Sequence, residues 1–237
     1  PVQACSMTAQ GVVTDASTCT LCGQCADVCP TLATEMSGRY WSSEELLKVI
    51  EKERPFFEQS DGGVTFSGGE PLLYPDFLVE ILEACGHRQV HRAIDTSGFV
   101  PRATLLRVAT STDLFLYDLK VVDAAKHKSY TGVDNRLILD NLEALAESGA
   151  AIQVRIPLVG GFNDDAGSLA AAARFVADLS GEKKLVNLLP LHDVAKGKDE
   201  KLGQKRDLSG LHEPTPEVVQ RAIETFANYG LRASVGG

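Results

Sequence analysis

The sequence predicts an α/β protein: an incomplete parallel (β/α) barrel behind a short cysteine-rich segment. Three observations predict it. From Trp41 onward, six short apolar runs alternate with amphipathic stretches, the pattern of βα units around a parallel sheet. Roughly 200 residues follow the cysteine-rich start, fewer than the about 250 of a full eight-stranded barrel. Glycine-rich or charged residues stand at the ends of several of those runs, on the rim where the loops of such barrels gather.

Each element has its own signal. Ser42-Ser43-Glu44-Glu45 reads as a capping box, with Leu46, Leu47 and Ile50 following at helical spacing. Val64-Thr65-Phe66 is a short strand, and a helix over Asp76 to Ala84 turns Phe77, Leu78, Ile81 and Leu82 inward. A strand over Arg92–Asp95, a helix over Arg102–Ala109 and a strand over Leu114–Leu119 come next. Leu137–Ser148 is helical and ends on Gly149 in a C-terminal cap role. The strand Ile152–Val159, the loop Gly160-Gly161-Phe162-Asn163, the alanine-rich helix Leu169–Leu179 and the strand Leu185–Leu191 continue the alternation. Thr215-Pro216-Glu217 starts a last helix, with Pro at its first position, and Leu231–Val235 closes as a strand. The division falls between a segment 1–36 and a partial barrel 37–237.

Composition excludes several classes. With 44% apolar residues the 237-residue chain is ordinary globular protein. No apolar run approaches the roughly 18 residues of a membrane span. A net charge of −9 argues against a nucleic-acid binder that works by neutralising phosphates, and fits docking on a basic protein surface. Pro1-Val2-Gln3 shows no Met, basic region or apolar leader, so the chain reads as a fragment or a processed product.

Four of the six cysteines fall in one run, Cys19-x2-Cys22-x2-Cys25-x3-Cys29-Pro30. This is the bacterial ferredoxin spacing: three thiolates wrap one [4Fe–4S] cluster, and the fourth points to a second cluster. Gly23 lets the backbone approach the cubane. A structural zinc knuckle is the competing reading, but zinc sites separate two ligand pairs by a longer spacer. Pro30-Thr31-Leu32-Ala33 echoes Pro1-Val2-Gln3-Ala4, as if Pro1 were the tail of a first such motif. Cys5 lies outside the register and is expected, like Cys85, to be a small buried residue.

The second signal is Gly62-Gly63-Val64-Thr65-Phe66-Ser67-Gly68-Gly69-Glu70-Pro71, a strand that ends in unhindered backbone and one carboxylate. Such an end can pair with the ammonium of an amino-acid moiety. Phe66-Ser67-Gly68-Gly69-Glu70-Pro71-Leu72, Asp95-Thr96-Ser97-Gly98, Asp118-Leu119-Lys120 and Leu189-Pro190-Leu191-His192 follow in order. Together they resemble the radical S-adenosylmethionine (SAM) activating enzymes of glycyl-radical enzymes, the group typified by pyruvate formate-lyase activase. The cysteine run resembles the ferredoxin-like insert of one subgroup.

The resemblance implies a partial barrel of the radical SAM type, lacking its first strand, behind an iron–sulfur segment. It implies that Gly68, Gly69 and Glu70 hold the methionyl amino group of SAM. Asp95, with Thr96 and Ser97, would lie beside the methionyl carboxylate, Lys120 would pair with it, and His192 would reach the ribose or methionyl region. Asp95 and Asp118 would share a small cation, and Arg155 would point at the cofactor. Cys19, Cys22, Cys25 and Cys29 would serve an auxiliary [4Fe–4S] cluster that passes electrons or stabilises the segment. His87, His91, His127 and His212 receive no role, and Lys196–Asp207 reads as a solvated loop.

The chemistry so implied is reductive cleavage of SAM and hydrogen abstraction from a backbone glycine in a loop of a partner enzyme. A flavodoxin or ferredoxin would donate the electron, in an anaerobic cytoplasm. The family carries its SAM cluster on C-x3-C-x2-C, a spacing that none of the six cysteines forms. The chain is therefore expected to be inactive alone, with that motif and the first strand before Pro1. A radical SAM enzyme acting on a small molecule, and a non-catalytic iron–sulfur module, are the alternatives.

Overall fold

The computed structural model describes residues 2–9, 11–36, 38–182, 184–191 and 210–236. It divides into two compact units, Pro1–Leu46 and Leu47–Gly237.

In the first unit, β1 (Cys5–Thr8) and β2 (Gly11–Thr14) form an antiparallel hairpin that pairs Cys5 with Thr14. Sequence periodicity did not show this hairpin, because neither strand buries a face. Asp15 ties the hairpin to the cysteine loop. Its N–H donates to the Ala4 carbonyl (2.8 Å) and its own carbonyl accepts from the Cys19 N–H (3.0 Å). The single-turn helix α1 (Gln24–Asp27) starts on Gly23 at φ +77°, a left-handed conformation that favours glycine.

In the second unit, six parallel strands are hydrogen-bonded in sequence order: β3 (Gly63–Phe66), β4 (His91–Thr96), β5 (Leu114–Asp118), β6 (Ile152–Leu158), β7 (Leu185–Pro190) and β8 (Ala233–Val235). These are the six predicted runs, each displaced by a residue or two at its ends. α2 (Ser43–Lys52) runs across the division at Leu46, and among the described residues the further helices are α3 (Arg54–Ser60), α4 (Pro75–Gly86), α5 (Arg102–Ala109), α6 (Ala124–Thr131), α7 (Arg136–Glu147), α8 (Ala166–Asp178) and α9 (Pro216–Asn228). The Ser42–Glu45 capping box opens α2: Ser42 Oγ accepts from the Glu45 N–H (3.2 Å), and Glu45 accepts from the Ser42 N–H (3.0 Å). Thr215 caps α9 through the Val218 N–H, with Pro216 at its first position. α3 and α6 were not predicted; α6 carries almost no apolar stripe to reveal it.

Alternation decides which face of the sheet is covered. Along β6, Ile152, Val154, Ile156 and Leu158 are buried, while Gln153, Arg155 and Pro157 between them are half-buried. β5 repeats this with Phe115 and Tyr117 buried and Leu114, Leu116 and Asp118 half-buried. The buried face joins stripes such as Leu78, Ile81, Leu82 and Cys85 of α4 and Ile138, Leu142 and Leu145 of α7. Each such side chain contributes about 1.5–3 kcal/mol by leaving water. Packing therefore fixes the sheet, and the half-buried face is left to carry polar groups. Cys85 is wholly buried, as expected.

Candidate functional site

The polar groups gather where β3 to β6 end. Parallel pairing sets Asp118 of β5 in register with Arg155 of β6, and Asp95 of β4 with Leu116 of β5. Arg155 Nη1 lies 2.8 Å from Asp95 Oδ2, which also accepts from Ser67 Oγ at 3.2 Å. Lys120 Nζ lies 3.4 Å from Asp118 Oδ2. Burial pushes the Asp118 carboxyl up and Asp95 adds to it, while Lys120 and Arg155 pull it back. Each carboxylate expected to share a small cation thus already faces a cationic side chain. Arg155 Nε is buried with no acceptor, an orphaned donor at the heart of the cluster.

Glu70 does something else. Its Oε1 accepts from Thr96 Oγ1 (2.7 Å) and the Leu72 N–H (3.3 Å). Its Oε2 accepts from the Ser97 N–H (3.0 Å) and Ser97 Oγ (2.7 Å). The carboxylate is spent on tying the end of β3 to the turn after β4. The open surface at this strand end is backbone: a Cβ on Gly68 or Gly69 would meet nothing within 4 Å.

Three asparagines that no sequence motif singled out hold the loops. Asn163 Nδ2 donates to the carbonyls of Lys120 and Pro157, both at 2.7 Å, and its Oδ1 accepts from the Val159 N–H. Asn135 Nδ2 donates to Val121 and Val122, and Asn141 Nδ2 to Gly98 and Val100. All three are buried. A buried asparagine beside a loop is the only sequence signal they offer, and it is visible only once the helices are packed. His192 and the stretch 196–207 lie outside the described residues.

In the first unit, Cys5, Cys19, Cys22 and Cys25 border one cavity of about 390 Å³, which apolar side chains such as Leu21, Val28 and Met36 and the polar Gln3, Thr20 and Gln24 also line. Cys5 is exposed, not buried as expected, because its hairpin has no core to enter. The Gln24 N–H and the Thr20 hydroxyl hold the Cys22 thiol below the usual range. Burial and the adjacent Cys5 thiol push Cys25 up. Cys29 does not border this cavity; hydrogen bonds from the Thr34 backbone and the Thr31 side chain bring its thiol down to about 7. Among the described residues no three His, Cys, Asp or Glu side chains converge to hold a single ion. A zinc ion would need four ligands about 2.0–2.3 Å from one point. Thiols spaced around a cavity fit a polynuclear iron–sulfur group better.

A parallel sheet with charged groups on its C-terminal rim is a cofactor-binding α/β scaffold of the barrel class, and comparison with known proteins says which. The Radical SAM superfamily profile matches residues 16–172, and the chain belongs to that superfamily. The trans-4-hydroxy-L-proline dehydratase activating enzyme of Clostridioides difficile is 38% identical over 208 residues, 86% of this chain and 68% of that one. The choline trimethylamine-lyase activating enzyme of Oleidesulfovibrio alaskensis is 36% identical, over 87% and 67%. A crystallised domain of pyruvate-formate lyase-activating enzyme from Bacteroides vulgatus superposes with a TM-score of 0.64 at 39% identity, covering 74% of this chain and 99% of that one. Within the superfamily the chain is thus one of the SAM-dependent activating enzymes of glycyl-radical enzymes, a family that works with SAM and a [4Fe–4S] cluster. Among the described residues no helix is long and apolar enough to cross a membrane.

Proposed function

We propose that the rim formed by the ends of β3 to β6 is where this activating enzyme holds the methionyl end of SAM. The observation that carries this reading is the orphaned Arg155 Nε. A buried guanidinium donor without an acceptor is costly, and a ligand carboxylate would satisfy it. Lys120 lies on the neighbouring strand end and supplies a second positive charge for the same carboxylate. Gly68 and Gly69 offer open backbone for the ammonium group. Glu70, Thr96 and Ser97 act behind them, through the hydrogen bonds that set the two turns. Asp95 holds Arg155 in place; His192, which follows β7 in the sequence, has its role from the resemblance alone.

When bound, the [4Fe–4S] group supplies one-electron chemistry at the SAM sulfonium; the protein's own residues orient SAM and exclude water. Cys19, Cys22 and Cys25 hold an auxiliary cluster. The electron donor is a flavodoxin or ferredoxin, the compartment is a reducing cytoplasm consistent with six free thiols, and nucleic acid is no partner of so acidic a chain.

Calorimetry of SAM binding to the chain tests the rim. Asp95→Ala should weaken binding about tenfold, since it releases Arg155 and loses one charge-assisted bond. Unchanged affinity in that variant would remove Asp95 and Arg155 from the site. The activity is tested with the chain joined to an N-terminal segment that carries C-x3-C-x2-C. It should form 5′-deoxyadenosine and give a glycyl-radical enzyme its glycine-centred signal in electron paramagnetic resonance (EPR). Cleavage of SAM with every such partner silent would favour a small-molecule substrate.

A further inference from the structure

We propose that two buried asparagines, Asn163 and Asn135, are positioning residues for Lys120, and that Asn163 does this by standing in for a missing rung of the sheet. The inference rests on the reading of Lys120 and Arg155 as the cations that hold the SAM carboxylate.

The need for such residues comes from Pro157. In a parallel ladder alternate residues face a given neighbour, and on β6 those turned to β5 are Arg155, Pro157 and then Val159. The Leu119 N–H still donates to the Arg155 carbonyl at 2.9 Å. The next donor on that side of β6 would be Pro157, which has no N–H, so the pairing of β5 with β6 stops there. Continued register would have set Val121 against the Pro157 carbonyl and the Val159 N–H. The side-chain amide of Asn163 takes that place. Its Nδ2 donates to the Pro157 carbonyl (2.7 Å) and its Oδ1 accepts from the Val159 N–H (2.9 Å), as a strand peptide would.

The second N–H of that amide donates to the carbonyl of Lys120 itself, also at 2.7 Å. The next two carbonyls, of Val121 and Val122, accept from Asn135 Nδ2 at 3.0 and 2.8 Å. Three consecutive carbonyls thus leave the sheet and end on two side chains that are both buried. Of the elements that Asn163 joins, β6 is the fixed one, because β7 pairs with it from Gln153 through Leu158. What the amide moors is the main chain of Lys120. Pro157 lies two residues beyond Arg155 on the same strand, so this one amide sets the spacing between the two cations. A lysine on a flexible stem gains from a fixed base, since misplacing a positioning group by about 1 Å is costly in a preorganised site.

Calorimetry on the 237-residue chain tests this with SAM and with decarboxylated SAM, which keeps the sulfonium and ammonium but lacks the carboxylate. Asn163→Ala should weaken SAM about fivefold and leave decarboxylated SAM within about twofold of the parent. In a Lys120→Met background the same substitution should change SAM affinity by less than about twofold, because the group it positions is gone. Asn135→Ala should repeat this pattern, and carries the test if Asn163→Ala does not fold. A loss shared equally by both probes is general loosening of the scaffold and overturns the proposal. So does an effect that persists undiminished without the Lys120 ammonium, or a chain that folds with neither substitution, which makes both asparagines residues of folding alone. A parent chain that binds SAM no better than decarboxylated SAM, or that keeps its SAM affinity in Lys120→Met, overturns the rim reading instead.

Discussion

Glu70→Gln separates two roles that a strand-end carboxylate can have. In the structure its two oxygens accept four hydrogen bonds, from Thr96, Leu72 and twice from Ser97. An amide keeps one oxygen and replaces the other by a donor. Facing Ser97, the NH2 would oppose a backbone N–H that cannot turn away. Facing Thr96 it is tolerated better, since that hydroxyl can rotate, but the Leu72 N–H is orphaned. The variant loses charge assistance on three bonds and one bond outright. Each charge-assisted bond exceeds a neutral one by about 1 kcal/mol, and an orphaned donor costs about 1–3 kcal/mol. Allowing for partial exposure, the cost should be about 2–4 kcal/mol. For a chain of this size that lowers the melting temperature by roughly 5–15 °C. Urea denaturation followed by far-ultraviolet circular dichroism reads it. If the carboxylate instead waits for the SAM ammonium, Glu70→Gln leaves the midpoint untouched and weakens only SAM binding. That result would refute the reasoning.

Other perturbations probe the scaffold and the cofactor separately. Gly98 sits at φ +70° against Tyr117, whose hydroxyl a Cβ would overlap. Gly98→Ala should destabilise by about 2–5 kcal/mol, from left-handed strain and overpacking together, and a denaturation midpoint within error of the parent would contradict the packing described. At the opposite end of the sheet, Arg92 binds Asp113 through two nitrogens (2.8 and 2.7 Å) and holds its carboxyl below the usual range. Because the folded value is the depressed one, this contribution is complete above about pH 4 and is lost as pH falls below it. Asp113→Asn should therefore lose stability at neutral pH yet converge with the parent in acid; parallel curves would show that the pair does not titrate on unfolding. Finally, reconstituted chain with strong reductant and SAM should yield no 5′-deoxyadenosine, as its six cysteines contain no C-x3-C-x2-C spacing. Chromatographic detection of that product at more than background would overturn the expectation.

The sequence carried the sheet because its strands are governed by strong local signals. Alternation along Ile152–Leu158 and the glycine end of β3 needed no tertiary knowledge. The β1–β2 hairpin was missed for the opposite reason: its residues are exposed on both faces, so no periodicity marks them. The site was legible as a set of residue types at strand ends, but not as a division of labour. Nothing in the one-dimensional motif distinguishes Glu70, turned onto Thr96 and Ser97, from a carboxylate held ready for a ligand. Nor could spacing reveal that Asn163 joins β6 to the segment after β5 through the carbonyls of Pro157 and Lys120, which are far apart in the chain. Cys5 was misjudged because its neighbours in sequence are not the cysteines it meets in the fold.

The strand order β3-β4-β5-β6-β7-β8 has a thermodynamic corollary. Gly68, Asp95, Lys120 and Arg155 each belong to a different strand or the turn that leaves it, so no single βα unit contains the proposed site. On the proposed assignment, affinity for SAM exists only in states where four consecutive strands have closed on one another. A ligand of that kind acts as a fastener for the sheet as a whole: at a hundred times its dissociation constant it would add about 2.7 kcal/mol to global stability. Amide exchange protection should then rise together across β3, β4, β5 and β6 on adding SAM, rather than only at the residues in contact with it.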